Sequence, residues 1–236
     1  MISTDQMRSR PRASEEAERP NLEKSLAFFE IVSVMTSCLI AEWLAFSIGR
    51  GSNLVLAVPI VLAFGLMFWS HRLRGESPRE IGLGLDNFMK CARLLALPML
   101  LATAVLIIVG YLSGSLNFVR WRGGQSIFGL PALGILWGLM QQYVLQAFIN
   151  RRAQLVWGRG LKSVLFVALM FAVLHLPNPV LTLATFAGGV LWAAVYQRAP
   201  NVFALALSHG LMTWVLVSTV SPSALNNLRV GFKYFG

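Results

Sequence analysis

The chain has 236 residues, of which 56% are hydrophobic and 13% are charged, and its mean hydropathy is +0.64. Soluble domains contain about 25% charged residues, so this composition excludes an ordinary soluble domain and indicates one polytopic membrane domain. The net charge of +10 does not indicate nucleic-acid binding, because the basic residues lie in short loops between apolar runs and no stacking aromatic residues alternate with them.

The chain begins with a polar stretch and continues as a series of apolar runs. Residues 1–24 carry charges of both signs and two prolines, so we expect a disordered cytosolic tail and no cleavable signal peptide. Residues 25–220 predict a single all-α domain, a polytopic transmembrane helical bundle, and residues 221–236 a short polar tail. The predicted spans, about seven with six to eight allowed, are roughly 25–49, 52–71, 92–114, 127–150, 161–177, 180–197 and 200–220.

The distribution of Lys and Arg predicts the orientation of these spans. With the N-terminus inside, fifteen of the 20 Lys and Arg residues fall on the inner side and five on the outer side. This excess favours a cytosolic N-terminus. We therefore expect an integral protein of a bacterial inner (plasma) membrane.

Few polar side chains lie within the predicted spans, and each is a candidate for a functional site because polar groups at membrane depth need a partner or a cavity. Glu30 lies near the cytosolic border close to Lys24, where an interfacial ion pair is expected. No aspartate or glutamate follows Asp86, so carboxylate chemistry in the second half of the chain would need a glutamate from the first span. The candidates within the spans are Glu30, Glu42, Gln141, Gln142, Gln146, His175 and His209.

The order of these residues resembles the CPBP family, the intramembrane proteases that include type II CAAX prenyl endopeptidases and bacteriocin-processing or bacteriocin-immunity proteins. The family has Glu-Glu-x-x-x-Arg on one helix, then Phe-x-x-x-His, then His-x-x-x-Asn or Asp. The corresponding residues here are Gln141-Gln142-x-x-x-Gln146, Phe171-x-x-x-His175 and His209-x-x-x-Thr213. The resemblance covers residues 127–215, and "PREIGLGL" is similar to the family's preceding segment.

The resemblance also implies roles for these positions. In the family the first glutamate acts as general base on the attacking water, the second pairs with the arginine, and the histidines and asparagine position the water or stabilise the oxyanion. Here both glutamates and the arginine are glutamine, and the asparagine is Thr213. A primary amide cannot serve as a general base, and losing the base alone costs about 10²–10⁴ in rate. No position is therefore expected to be catalytically competent.

Three hypotheses follow for the function. The first is a catalytically impaired pseudo-protease that acts by binding, as an accessory or regulatory subunit of a membrane complex. The second is an active intramembrane CAAX-type endopeptidase that uses His175 or His209 as base, with Glu42 reaching the cavity. The third is a bundle whose two histidines bind a metal, haem or pigment, although two imidazoles are a sparse ligand set. We expect the lipid bilayer and a membrane protein as partners, and no nucleic acid, cofactor or metal.

Overall fold

A computed structural model describes residues 13–45, 53–120 and 129–236, and in these residues all regular structure is helical. The predicted all-α class is confirmed. In chain order the helices are α1 (Ala13–Leu39, continued by a π-helix over Ile40–Ala45), α2 (Asn53–Leu73), α3 (Phe88–Leu112), α4 (Gly129–Gln142, continued by a π-helix over Tyr143–Asn150), α5 (Arg151–Trp157), α6 (Leu161–Val173), α7 (Pro179–Arg198), α8 (Val202–Thr219) and α9 (Pro222–Leu225).

The helices run back and forth between two ends of the bundle. One end, which we call the charged end, contains the loop 74–87, the connector 158–160 and the α7–α8 turn at 199–201. Val202 N donates to Gly82 O at 2.8 Å, and Gly160 N donates to the side-chain oxygen of Gln197, next to the α7–α8 turn, at 2.9 Å. The opposite end contains the turns at 113–120 and 174–178 and the C-terminal segment 221–236, joined by bonds such as Gly231 N to Leu176 O at 2.8 Å. The rod formed by α4, its π-helix and α5 runs between the two ends.

Two buried asparagines start the last long helices and fix the two ends. Asn178 caps α7 by accepting from Leu181 N, and its amide nitrogen donates to the carbonyls of Leu225 and Arg229. Asn201 caps α8 in the same way and donates to the carbonyls of Gly84 and Asp86. Each side chain therefore supplies a helix N-cap and also binds a segment that is distant in sequence.

Four helical segments of the described residues are long and apolar enough to cross a membrane: Pro20–Leu44, Phe88–Leu112, Pro179–Arg198 and Val202–Thr219. The predicted count of about seven is not confirmed. One reason is α6, which has 13 residues where a span over 161–177 was expected. At 1.5 Å per residue such a helix is about 20 Å long, shorter than the ~30 Å hydrocarbon core.

The two predicted tails both contain helical residues in the structure. α1 begins at Ala13, inside the segment 1–24 that was expected to be a disordered tail, and residues 1–12 lie outside the described residues. The sequence "ASEEAERPNLEK" is rich in helix formers, and the helix extends through it from the apolar run. The C-terminal segment is folded onto the bundle, with Leu225 buried and Gly231 at φ +56° against the Glu42 backbone. The ends of predicted spans at residues 46–49 and 127–128 also lie outside the described residues.

Candidate functional site

The polar side chains of α4 and its π-helix point into the bundle at helical spacing. Gln142, Gln146 and Asn150 are all completely buried. They lie four residues apart, on one face of the rod. The π-helix carries Gln146, and π-helical turns of this kind occur frequently at functional sites.

Gln142 and His209 form the centre of the site. The Gln142 amide nitrogen lies 3.0 Å from Nδ1 of His209 and donates to it, which leaves the proton of the neutral imidazole on Nε2. The His209 ring stacks on Trp192, with ring centroids 4.7 Å apart and an interplanar angle of 3°. The Trp192 indole nitrogen in turn donates to Ser208 Oγ at 3.0 Å. The His209 ring is therefore fixed both in its plane and at one nitrogen.

His175 meets this centre through Phe171. Its Nδ1 donates to the carbonyl of Phe171 at 2.8 Å, so the lone pair of the neutral ring is on Nε2. The Phe171 ring lies edge-on to both imidazoles, with centroids 4.8 Å from His175 and 5.8 Å from His209. The two histidines, 34 residues apart in sequence, thus share one aromatic neighbour.

Gln146 belongs to a second set of amides that continues towards the charged end. Asn150 donates to Gln146 Oε1 at 2.8 Å and to the carbonyl of Ala193 at 3.2 Å. Gln197 then donates to Asn150 Oδ1 at 3.0 Å and to Ser163 Oγ at 2.9 Å. The amide set is neutral throughout. Sequence reasoning missed Asn150, although its spacing of four residues from Gln146 was a usable signal.

Two atoms of the glutamines remain unpaired. Gln142 Oε1 and Gln146 Nε2 are buried and have no hydrogen-bond partner among the described residues. One is an acceptor and the other a donor. Buried polar atoms are nearly always paired in native proteins, so this pair marks the site as one where a bound polar group would be stabilised.

The other two predicted positions lie at the edge of the site. Gln141 and Thr213 are half-buried, and neither side chain makes a hydrogen bond to another described residue. Thr213 lies one turn after His209 on α8. Gln142, and not Gln141, is therefore the glutamine that contacts a histidine.

A charged cluster near the charged end was not predicted. Arg152 is completely buried and binds two carboxylates: its Nε donates to Glu30 at 2.8 Å, and its two terminal nitrogens donate to Glu76 at 3.0 and 2.8 Å. Arg74 adds a second contact to Glu30 at 3.2 Å. Arg151 and His71 complete the set at Glu76, at 2.7 and 2.6 Å. Glu30 thus forms an ion pair as expected, but with Arg152 and Arg74 as its partners.

Opposing effects act on the pKa of Glu76, which lies in the loop 74–87. Burial raises the pKa. Hydrogen bonds from His71 and Arg152, the Arg152 charge and the bond from Arg151 lower it further than burial raises it. The net result is a pKa well below the usual range of a glutamate, so Glu76 is ionised near neutral pH.

Neither carboxylate of the predicted first span contacts the two histidines in the described part of the chain. Glu30 is held by two guanidinium groups. Glu42 packs against the C-terminal segment: a Cβ added at Gly231 would lie 2.7 Å from the Glu42 carbonyl oxygen. No hydrogen bond joins Glu42 to either histidine of the site within the described part of the chain. The histidine site is therefore built from imidazole, amide and aromatic groups.

The side chains around the two histidines offer few ligands for a metal ion. Across residues 13–45, 53–120 and 129–236, no three His, Cys, Asp or Glu side chains converge in a way that could hold a metal ion. At His209, Nδ1 is bonded to Gln142 and one ring face is covered by Trp192. Nε2 of His175 has no hydrogen-bond partner among the residues that the structure describes.

The fold and the site define a helical integral membrane protein with a centre of two histidines, of which His209 is buried and His175 is half-buried. Residues 123–215 match the family model described as type II CAAX prenyl endopeptidase Rce1-like. The resemblance to the CPBP family is confirmed over these residues, which include the glutamine segment, both histidines and Thr213. No curated protein and no solved structure matches the chain.

Proposed function

We propose that this CPBP-type membrane protein is a catalytically impaired pseudo-protease that acts by binding a membrane-protein partner, as an accessory or regulatory subunit. The observation that carries the proposal is the contact between Gln142 and His209. Gln141, at the position of the family's general base, and Gln142, which contacts His209, are both amides, and an amide cannot accept the proton of an attacking water at neutral pH. The site therefore lacks the carboxylate that the family uses as its base.

The surrounding polar groups support the same proposal. Gln146, where the family has arginine, bonds to Asn150, so no cation is left without a counter-charge in the site. The unpaired Gln142 Oε1 and Gln146 Nε2 offer an acceptor and a donor to a bound polar group. We further propose that the charged end faces the cytosol, because most described Lys and Arg side chains lie there. α1 enters from that end, so the N-terminus would be cytosolic.

One observation favours a second candidate, an active endopeptidase. His175 donates from Nδ1 to Phe171, so its Nε2 lone pair is the one basic nitrogen of the pair that could take a proton. This candidate requires His175 to act as general base without a carboxylate partner.

A cleavage assay separates the two candidates. Purified protein in detergent is incubated with a prenylated peptide and with its unprenylated counterpart, next to a His175→Ala variant. The pseudo-protease predicts product formation equal to that of the variant. Cleavage by the wild type that His175→Ala abolishes would overturn the proposal. The combined change Gln141→Glu, Gln142→Glu and Gln146→Arg asks in addition whether the cavity supports catalysis when the family's groups are restored.

Binding is tested by co-purification from native membranes. The proposal predicts a stoichiometric membrane-protein partner that is retained by wild type and lost with Phe171→Ala, which removes the ring between the histidines. Thr213→Ala is the matched control at the edge of the site. Equal recovery of the partner by all three proteins would show that the histidine site does not bind it.

A further inference from the structure

Cations from several separate segments are brought together at the charged end. Two of them lie in the last turns of α2 and α7, two in the first turns of α3, one in the α5–α6 connector and one in the first turn of α6. All six side chains are exposed. These residues are Arg72, Lys90, Arg93, Arg159, Lys162 and Arg198.

The folding of the loop 74–87 explains why these segments are neighbours. The Tyr196 hydroxyl donates to the carbonyl of Ile81 at 2.9 Å, and Asn201 donates to the carbonyls of Gly84 and Asp86. These bonds hold the loop under the end of α7 and the start of α8. Arg159 donates to the carbonyl of Gln197, which fixes the α5–α6 connector beside α7. The cations therefore belong to one surface.

The carboxylates of this end do not neutralise that surface. Glu30 and Glu76 face inward, to Arg152, Arg74 and Arg151. Glu80 accepts hydrogen bonds from the backbone and side chain of Ser77. Asp86 pairs with Arg79 at 3.7 Å, and Glu23 lies beside Lys24 on exposed α1. None of the six exposed cations forms an ion pair with a carboxylate in the described ranges.

Large apolar side chains mark the depth of this surface in the membrane. Trp69, Leu73, Met89 and Leu161 are more than half exposed and lie within a few residues of the cations. The Arg72 guanidinium lies 5.2 Å over the ring of Phe68. Apolar side chains of this kind lie in the hydrocarbon and the interface, while long basic side chains extend to the headgroup level. This neighbourhood of exposed apolar and basic side chains is the one expected where charges reach lipid phosphates.

We propose that the charged end is a binding surface for anionic phospholipid headgroups. Clusters of four to eight Lys and Arg residues next to a membrane attract anionic lipids, and the surface carries six with no paired carboxylate. The opposite end provides a contrast. Among the described residues, that end has three cations, Arg120, Arg229 and Lys233, and the Arg120 guanidinium bonds to the carbonyl of Val217 at 2.6 Å, as Arg159 bonds to a carbonyl at the charged end. The proposal is independent of whether the histidine site is catalytic.

The test measures which lipids the full-length protein retains. Protein in a zwitterionic detergent is incubated with equal amounts of phosphatidylglycerol and phosphatidylcholine, and bound lipids are counted by native mass spectrometry. Wild type should retain phosphatidylglycerol in preference to phosphatidylcholine. Arg93→Gln with Lys162→Gln should lower that preference about fivefold or more, whereas Arg229→Gln with Lys233→Gln, which removes two charges from the opposite end, should leave it unchanged.

Two further arms keep the result interpretable. Thermal unfolding in phosphatidylcholine alone should be the same for Arg93→Gln with Lys162→Gln as for wild type, since the exposed charges at Arg93 and Lys162 make no ion pair with another described residue. Raising the salt concentration should reduce the preference in wild type, because screening weakens surface electrostatics. Equal retention of the two lipids by wild type, or equal loss of preference in the two double variants, would overturn the proposal.

Discussion

The rod of α4, its π-helix and α5 carries two buried polar clusters of opposite character. The first, around Gln142, Gln146 and His209, is neutral and held by amide hydrogen bonds. The second, around Arg152, is built from three guanidinium groups and two carboxylates. The comparison separates two ways of burying polar groups. Amides can tolerate an unpaired atom, as at Gln142 Oε1, whereas a buried charge without its counter-charge is far more costly.

The two clusters also lie at different depths in the bundle. The cluster of Arg152 lies at the charged end, next to the loop 74–87, and its partner Arg151 is partly exposed. The neutral cluster lies deeper, between α6, α7 and α8. In this arrangement the guanidinium and carboxylate groups of the Arg152 cluster lie near the membrane border, where their desolvation costs less. Four sets of substitutions test this difference between the two clusters.

The largest effect is expected at Arg152. Arg152→Met removes the guanidinium that binds both Glu30 and Glu76, and breaking a buried ion pair costs about 3–5 kcal/mol. Unfolding of the detergent-solubilised protein by urea should show this loss of stability. Arg151→Met is the matched control, because its side chain is partly exposed and Glu76 keeps Arg152; a loss of about 1 kcal/mol is expected. Equal losses for the two variants would contradict the assignment of Arg152 as the centre of the cluster.

Glu76 should make stability depend on acidity. Its pKa is depressed in the folded protein, so it binds a proton less readily there than in the unfolded chain. Its contribution is complete above the unfolded value of about 4.3 and is lost as the pH falls from there towards the folded pKa. The Tm of wild type should fall steeply on acidification below that value. The Glu76→Gln variant should have a lower Tm at neutral pH, and its Tm should fall less on acidification.

Asp86→Asn is the control for this measurement, since Asp86 is exposed and its pair with Arg79 is long at 3.7 Å. The Tm of Asp86→Asn should fall as steeply below about pH 4.3 as that of wild type. If the Tm of Glu76→Gln falls as steeply with acidification as that of wild type, another carboxylate is responsible for the acid sensitivity.

A substitution within the neutral cluster should lower the free energy of unfolding by less than Arg152→Met does. Gln142→Leu leaves Nδ1 of His209 buried without its donor, which costs about 1–3 kcal/mol. Gln141→Leu, at the adjacent residue with no side-chain hydrogen bond to the described part of the chain, should change stability little. Unfolding of both variants in detergent measures the difference. A larger loss for Gln141→Leu than for Gln142→Leu would reverse the roles of the two amides.

Sequence reasoning predicted the neutral cluster far better than the charged one. The residues of the neutral cluster follow a motif order, and the structure brings Gln142, Phe171, His175 and His209 together. Arg152 has partners 122 and 76 residues away, and its sequence "NRR" reads as an ordinary basic connector. No local pattern distinguishes a buried arginine from an exposed one. Helix ends were also hard to predict, because α6 stops at Val173 although apolar residues continue beyond it.

The smallest effect tests how tightly α4 is packed against His209. A Cβ at Gly138 would lie 3.1 Å from the carbonyl oxygen of Ala206 and 3.4 Å from the His209 side chain, so Gly138→Ala must push these atoms apart. Gly134, one turn earlier on α4, has nothing within 4 Å of an added Cβ. Gly134→Ala should therefore stabilise the protein by about 0.5–1 kcal/mol through helix propensity. Gly138→Ala should gain less or lose stability, and should shift the NMR signals of His209, which Gly134→Ala leaves unchanged. An equal gain at both positions would mean that α4 and α8 can separate without cost, and the neutral cluster would then lack the rigidity that distinguishes it as a site.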